Sequence, residues 1–232
     1  MLGRIDVLDK GYVILREVMG NDLTVVNSAR VSYDKKKEAL DEKDIRLIRF
    51  LARNDHTSPF RHAMLQFEVY SPLMVARQWW KYVVGSDHIM DAWNESSRRY
   101  VTEEPRFYIP SDDEWRSAPK NSKQGSGGFL PSELGEQLTA SLKAYVLDSL
   151  SRYEGALARG VAPEQARLFL PAYGLYVRWY WTASLQSVAH LINQRTAEDA
   201  QKEFQEYARA VYQLAKPHFE HSLGELVKHD QD

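Results

Sequence analysis

The stretch from Ala76 to Tyr100, ARQWWKYVVGSDHIMDAWNESSRRY, gathers side chains that could handle a charged, planar ligand. The Trp79-Trp80 pair offers π-faces, Gln78 and Lys81 offer donors, and Asn94-Glu95, Ser96-Ser97 and Arg98-Arg99 add a carboxylate, hydroxyls and guanidiniums. Hydroxyls beside guanidiniums bind phosphomonoesters through paired, charge-assisted hydrogen bonds. In an extended segment alternate residues share a face, so Glu95, Ser97 and Arg99 point together as half of such a site. A solvated strand whose arginines pair with Glu103 and Glu104 accounts for the same residues, and the pattern alone leaves both readings open.

Further along, Arg167 and Arg195 stand in otherwise apolar helical stretches. An arginine there either reaches to water or is held for a ligand. Because a guanidinium is no base at neutral pH, any catalytic part would be to stabilise negative charge that develops on a substrate. His56, His62, His88 and His190 lack the spacing of metal ligands, and no metal site is expected. The chain has no cysteine, which removes thiolate nucleophiles and disulfides. No GxSxG, GxGxxG or GxxxxGK[ST] occurs, so a nucleotide cofactor would need another kind of cradle.

The elements that would position these residues follow from periodicity. Ile5-Val7 and Tyr12-Leu15, split by Asp9-Lys10-Gly11, predict a hairpin. Asn21 and Asp41 are N-cap signals for two helices, the second ending near Asn54. Residues 63–70 predict a strand, followed by a helix from Leu73 to about Val83 with Pro72 in its first turn. Tyr108-Ile109-Pro110 is expected to be extended, and 117–128, rich in Ser, Gly and Lys, a mobile surface loop. A long helix from Ser132 to the Gly160 stop follows, then a short one from Pro163 to Leu170, a strand over 173–181, and helices over 185–195 and 200–214. The aromatic stripe at 173–181 and the Trp79-Trp80 pair are expected in the core or at a subunit interface.

Strands and helices interspersed without regular βαβ units make the fold class α+β, and 232 residues with 44% apolar and 27% charged content suit one domain over 1–232. A formal charge of −2 gives no global attraction for nucleic acid or an anionic membrane, so neither is expected as a partner. No apolar run approaches the length of a membrane span, and Arg4, Asp6, Asp9 and Lys10 interrupt the start, so a cytoplasmic protein is expected.

Several separate blocks resemble the flavin-dependent thymidylate synthases: IDVLDKGYV, VMGNDL and SARVSYD near the start, HTSPFRH at 56–62, ARQW at 76–79 and NESSRRY at 94–100. In the second half ARLFLP at 166–171, LYVRWYWTASLQSV, Arg195 and the Ala200-Gln201 pair fall in that family's order. The resemblance implies a mixed or antiparallel sheet flanked by helices, a homotetramer with FAD sites built between subunits, and methylation of dUMP to dTMP. The methylene would come from 5,10-methylenetetrahydrofolate and the reducing equivalents from NADPH through FAD. By position, Gln78, Trp79, Trp80, Lys81, Glu95, Ser96, Ser97, Arg98 and Arg99, with Arg167 and Arg195, would surround dUMP. Arg195 would hold the pyrimidine in its N3-ionised form and so be the catalytic residue. Flavin contacts would come from Ser32, His56, Ser58 and Arg61, from Lys81, Tyr82 and Val83, from Glu95, and from Ser184, Leu185, Gln186 and His190.

The chain departs from the family pattern where Lys81-Tyr82-Val83 stands in place of Arg-His-Arg, followed by roughly six extra residues before Asn94. Arg61 replaces an acidic residue, and Gln186 and His190 stand where Arg and Asn are usual. Arg61 and Lys81, with His88 or Arg98, are expected to restore the missing positive charge. Two other readings fit the same residues: a pyrimidine-nucleotide hydroxymethylase, and a nucleotide-binding relative that has lost its flavin.

Overall fold

Gly3–Val7 (β1) and Gly11–Met19 (β2) pair antiparallel, as the hairpin signal predicts. Gly11 is required there by crowding: a Cβ would meet the Tyr207 hydroxyl at 1.8 Å. That hydroxyl donates to the Tyr70 carbonyl at 2.8 Å and ties the C-terminal half of the chain to the strand beside the hairpin. The computed structural model describes residues 1–31, 36–84, 91–96, 104–120 and 125–228, without the side chains of Val83 and Val84.

Met64–Pro72 (β3), Tyr176–Ser184 (β5) and the short Ala92–Glu95 (β4) complete a five-stranded sheet in the order β1-β2-β3-β5-β4, antiparallel at every pairing. The mixed alternative is thus settled as antiparallel. Pro72, expected inside the helix, is instead the last residue of β3, paired with Tyr176. A strand end tolerates proline because the missing N–H would lie beyond the ladder. The final strand is displaced three residues from its expected place, because Ala172–Gly174 forms a 3-10 turn after Pro171.

Strand alternation divides the sheet. Val13, Leu15, Leu65, Phe67, Val69, Trp179, Trp181 and Ala183 face the core, while Tyr12, Glu68, Tyr70, Arg178 and Tyr180 lie on the other face. Against the core face pack Asp22–Ala29 (α1), Glu42–Arg53 (α2), Leu73–Val84 (α3), Leu185–Arg195 (α6) and Lys202–Ala215 (α7). Asn21 and Asp41 both form capping boxes, as their residue types predict. Glu220–Leu226 (α8), which the sequence pattern does not announce, starts where Asp22 accepts the His221 and Ser222 backbone N–H groups at 2.8 and 2.9 Å.

Ser132–Ala158 (α4) and the short Pro163–Ala166 (α5) build a second, smaller core. Leu142, Val146, Leu150 and Tyr153 of α4 pack on Phe107, Leu170 and Leu175, while Leu134, Tyr145 and Leu147 face outward. The excursion at 117–128, of which 121–124 lie outside the described residues, is closed at its base by an Arg116–Phe129 bridge. Among the described residues no helix is long and apolar enough to cross a membrane.

Candidate active site

Helix α3 is anchored by Trp79, whose fully buried ring stacks on Phe204 at 5.3 Å and meets Trp179 and Trp181 edge-on at 5.4 and 5.3 Å. Trp79 was expected at dUMP; its ring instead belongs to the core, where so large an apolar surface is most stabilising, and it serves a ligand only by holding α3 in place. Residues on either side of this anchor face two different neighbourhoods.

On the flank towards α6 and α7 stand Gln78 and Tyr82, one helical turn apart. Arg195, in the last turn of α6, donates through Nε to the Tyr82 hydroxyl at 2.6 Å and through Nη1 to the Gln78 carbonyl oxygen at 3.2 Å. Its guanidinium also lies 5.2 Å from the centre of the Tyr82 ring and 5.3 Å from that of Phe204. No hydrogen bond from Nη2 of this half-buried cation is seen among the described residues. Tyr82, expected at the flavin, is thus a partner of the candidate catalytic arginine.

The other flank carries Leu73, Arg77 and Trp80, and opposite them lie Glu95 and Ser96 at the end of β4. Two cavities share Leu73 and Glu95. The larger, about 410 Å³, adds Ser96, Arg167 and the apolar Leu170, Leu175 and Val177. The smaller, about 190 Å³, is walled by Arg77, Trp80 and Trp93. Loss of surrounding water pushes the Glu95 carboxyl above its ordinary range, against a hydrogen bond from Trp93 and the charge of Arg77. Arg167, exposed, donates through Nε to the Glu164 carbonyl at 3.2 Å and lines the cavity. Glu95, Ser96 and Arg167, separated by about seventy residues of sequence, are therefore neighbours, whereas Gln78 and Arg195 meet on the opposite side of α3.

Among the described flavin candidates Glu95 lies apart, on the far flank of α3; the rest are not fully buried, with two exceptions. The 3-10 turn Ser58–His62 packs against the start of α6, where the Leu185 N–H donates to the Ala63 carbonyl at 2.9 Å. His56 leans on Phe50, Arg61 donates to the Thr57 hydroxyl at 3.1 Å, and His190 tilts against Tyr82. Ser184 and Leu185 are the exceptions. The Ser184 hydroxyl is buried as the α6 N-cap, accepting from the Ser187 N–H at 3.1 Å, and the Leu185 side chain is fully in the core. The Gln186 carbonyl oxygen, by contrast, is buried with no partner among the described residues, as a site awaiting a donor from a flavin ring or ribityl chain would be. Lys81 is exposed at the end of α3. Ser32, His88, Ser97, Arg98, Arg99 and the Val83 side chain lie outside the described residues.

Arg116, Gln201 and Glu203 carry no motif, yet they line a third cavity of about 390 Å³ directly behind Gln78. Only the Ala200-Gln201 pair hinted at them in the sequence. Glu203 is buried; burial pushes its carboxyl up, but hydrogen bonds from Arg116, from its own backbone and from Gln201 outweigh this and hold it below its ordinary range.

Comparison with known proteins shows the family. The chain is 39% identical over 212 residues to the flavin-dependent thymidylate synthase of Thermus thermophilus, covering 91% of this chain and 74% of that one. It is 37% identical over 211 residues to that of Thermotoga neapolitana, covering 91% and 88%. A solved structure of the UMP/dUMP methylase PolB from Streptomyces cacaoi, bound with 5-Br dUMP, superposes with a TM-score of 0.81 at 26% identity over 95% of this chain and 96% of that one. The family model described as thymidylate synthase complementing protein matches residues 14–220, and the chain belongs to that family.

Proposed function

We propose that the protein methylates dUMP to dTMP, taking the methylene from 5,10-methylenetetrahydrofolate and using FAD reduced by NADPH. The observation that carries this reading is Arg195, a half-buried cation held at two of its nitrogens by neutral partners. Such a group stabilises negative charge on a pyrimidine without exchanging a proton. Bound FAD would supply the hydride chemistry. Gln186, Arg61 and Ser58 are our first candidates to hold it, with Ser32 and Lys81 as further ones.

Glu95, Ser96 and Arg167 form one wall of the nucleotide site, to which Ser97, Arg98 and Arg99 belong by sequence position. A guanidinium beside hydroxyls suits the phosphate, and Trp80 stands at the adjoining cavity. Because α3 separates this wall from Gln78 and Arg195, our reading has the nucleotide shared between copies of the chain. The outward Leu134, Tyr145 and Leu147 of α4 support a homotetramer that brings the two halves together.

The first test is the visible spectrum of the purified protein, where a chain that takes up no added FAD rejects the reading. Incubation with dUMP, methylenetetrahydrofolate and NADPH, with the nucleotide identified by mass, then separates a methyl from a hydroxymethyl product. A parallel incubation with UMP fixes the sugar specificity, since the superposed methylase is named for both nucleotides.

A further inference from the structure

Gln78 can present either end of its amide to Arg195, and only one is useful. With its oxygen forward it accepts the Nη1 proton; with its NH2 forward it sets donor against donor and drives the guanidinium away. The amide itself has no preference. Arg195, which can only donate, draws the oxygen forward, and the groups behind the amide reinforce this by drawing its nitrogen back.

The Gln78 amide nitrogen donates to the carbonyl oxygen of Gln201, and its second proton reaches the Met74 carbonyl at 3.4 Å. The Gln201 nitrogen in turn donates to Glu203 Oε2 at 2.9 Å, with its other proton towards the Met74 sulfur at 3.4 Å. Glu203 accepts at its other oxygen from Arg116. A carboxylate has no proton to give, so it can only receive. Both amides are thereby aligned with nitrogen towards Glu203 and oxygen towards Arg195.

We propose that Glu203 is a positioning residue for the pyrimidine-facing arginine: its acceptor-only carboxylate, fixed by Arg116, orients Gln201 and Gln78 so that Gln78 holds Arg195 in its binding geometry. This rests on the reading of Arg195 given under Proposed function. Glu203 touches neither substrate nor cofactor and acts through two intervening side chains. Its place in the first turn of α7, where a helix N-terminus favours negative charge, keeps the carboxylate ionised.

The test uses the FAD-loaded protein and calorimetric titration with dUMP. Glu203→Gln supplies an amide that can donate as well as accept, so the alignment is no longer enforced, and the dUMP dissociation constant rises about tenfold, the loss expected of one oriented hydrogen bond. Adding Gln201→Glu to that variant puts an acceptor-only group one step nearer, still able to receive from the Gln78 nitrogen, and returns the constant to within about threefold of the starting protein. A role in packing alone predicts no such rescue. Gln201→Met, which leaves the Arg116–Glu203 pair intact, gives the same loss as Glu203→Gln and stands in for it if that variant does not fold.

An unchanged constant in Glu203→Gln or Gln201→Met overturns the proposal, as does a loss that Gln201→Glu fails to restore. If the unaltered protein itself does not bind dUMP, the functional reading falls first and the two failures are distinguished.

Discussion

Arg195 and Tyr82 are joined by a 2.6 Å hydrogen bond from the guanidinium Nε to the phenolic oxygen, across an interval of 113 residues. Together with the bond to Gln78 it fixes the plane of the guanidinium, which a single contact would leave free to rotate. Tyr82 lies in the segment that departs from the family resemblance, and in this chain its hydroxyl holds the arginine.

Tyr82→Phe removes that acceptor and little else. The dUMP dissociation constant should rise about three- to tenfold, the range of a single net hydrogen bond. The visible spectrum should keep its flavin absorbance. Loss of flavin together with nucleotide binding would place Tyr82 back at the cofactor.

Arg195→Ala should lower kcat/KM for dUMP by about 10²- to 10³-fold, since a preorganised stabiliser of developing charge is withdrawn. Steady-state rates with saturating methylenetetrahydrofolate and NADPH measure this directly. A residual activity above one tenth would show that the arginine is not the group that stabilises the pyrimidine.

Arg167→Ala should raise KM for dUMP about tenfold or more, as a charge-assisted contact to phosphate is lost, with less effect on kcat. If the 410 Å³ cavity holds the nucleotide phosphate, deoxyuridine without its phosphate should bind wild type and variant alike. A variant that loses affinity for deoxyuridine equally contradicts that placement.

Trp79→Ala should destabilise the fold by about 3–5 kcal/mol, because three aromatic partners lose their common neighbour. Trp80→Ala, whose ring is 40% exposed and edge-on to Trp93, should cost about 1 kcal/mol. Urea midpoints of the two variants give the comparison, and equal values would refute the assignment of Trp79 to the core.

Glu203 gives a pH signature. Its carboxyl is held below its ordinary 4.5 in the fold, so the unfolded chain binds the proton more readily. The stabilisation it contributes is complete above about pH 4.5 and is lost as pH falls through the folded-state value. The stability difference between the protein and Glu203→Gln should therefore be constant from pH 7 down to about 5 and shrink below it. Denaturant unfolding across that range checks this, and a difference that grows in acid has the wrong sign.

Much of the fold was legible because it is written locally. Asn21 and Asp41 cap helices through bonds to residues within three positions, and Gly160, at φ 81°, stops α4 as a glycine in the left-handed region should. Only the end of β4 was legible, in the extended reading of Asn94 and Glu95; Ala92 and Trp93 join it because Trp179–Thr182 offer an edge. Helix α8 was missed for a similar reason, since its first N–H groups are received by Asp22, some two hundred residues earlier. The same division runs through the site. The types of Arg195, Glu95 and Arg167 point to an anion, but the partnership of Arg116 with Glu203, 87 residues apart, follows only from the way α7 is laid beside the 107–116 segment.

Trp79 has one more consequence. Gripped by rings from β5 and α7, it leaves α3 no room to roll about its own axis, because a close-packed interior resists small displacements. The Arg77–Trp80 side and the Gln78–Tyr82 side are thereby held at a fixed spacing, so the two walls that α3 supplies keep their relative orientation.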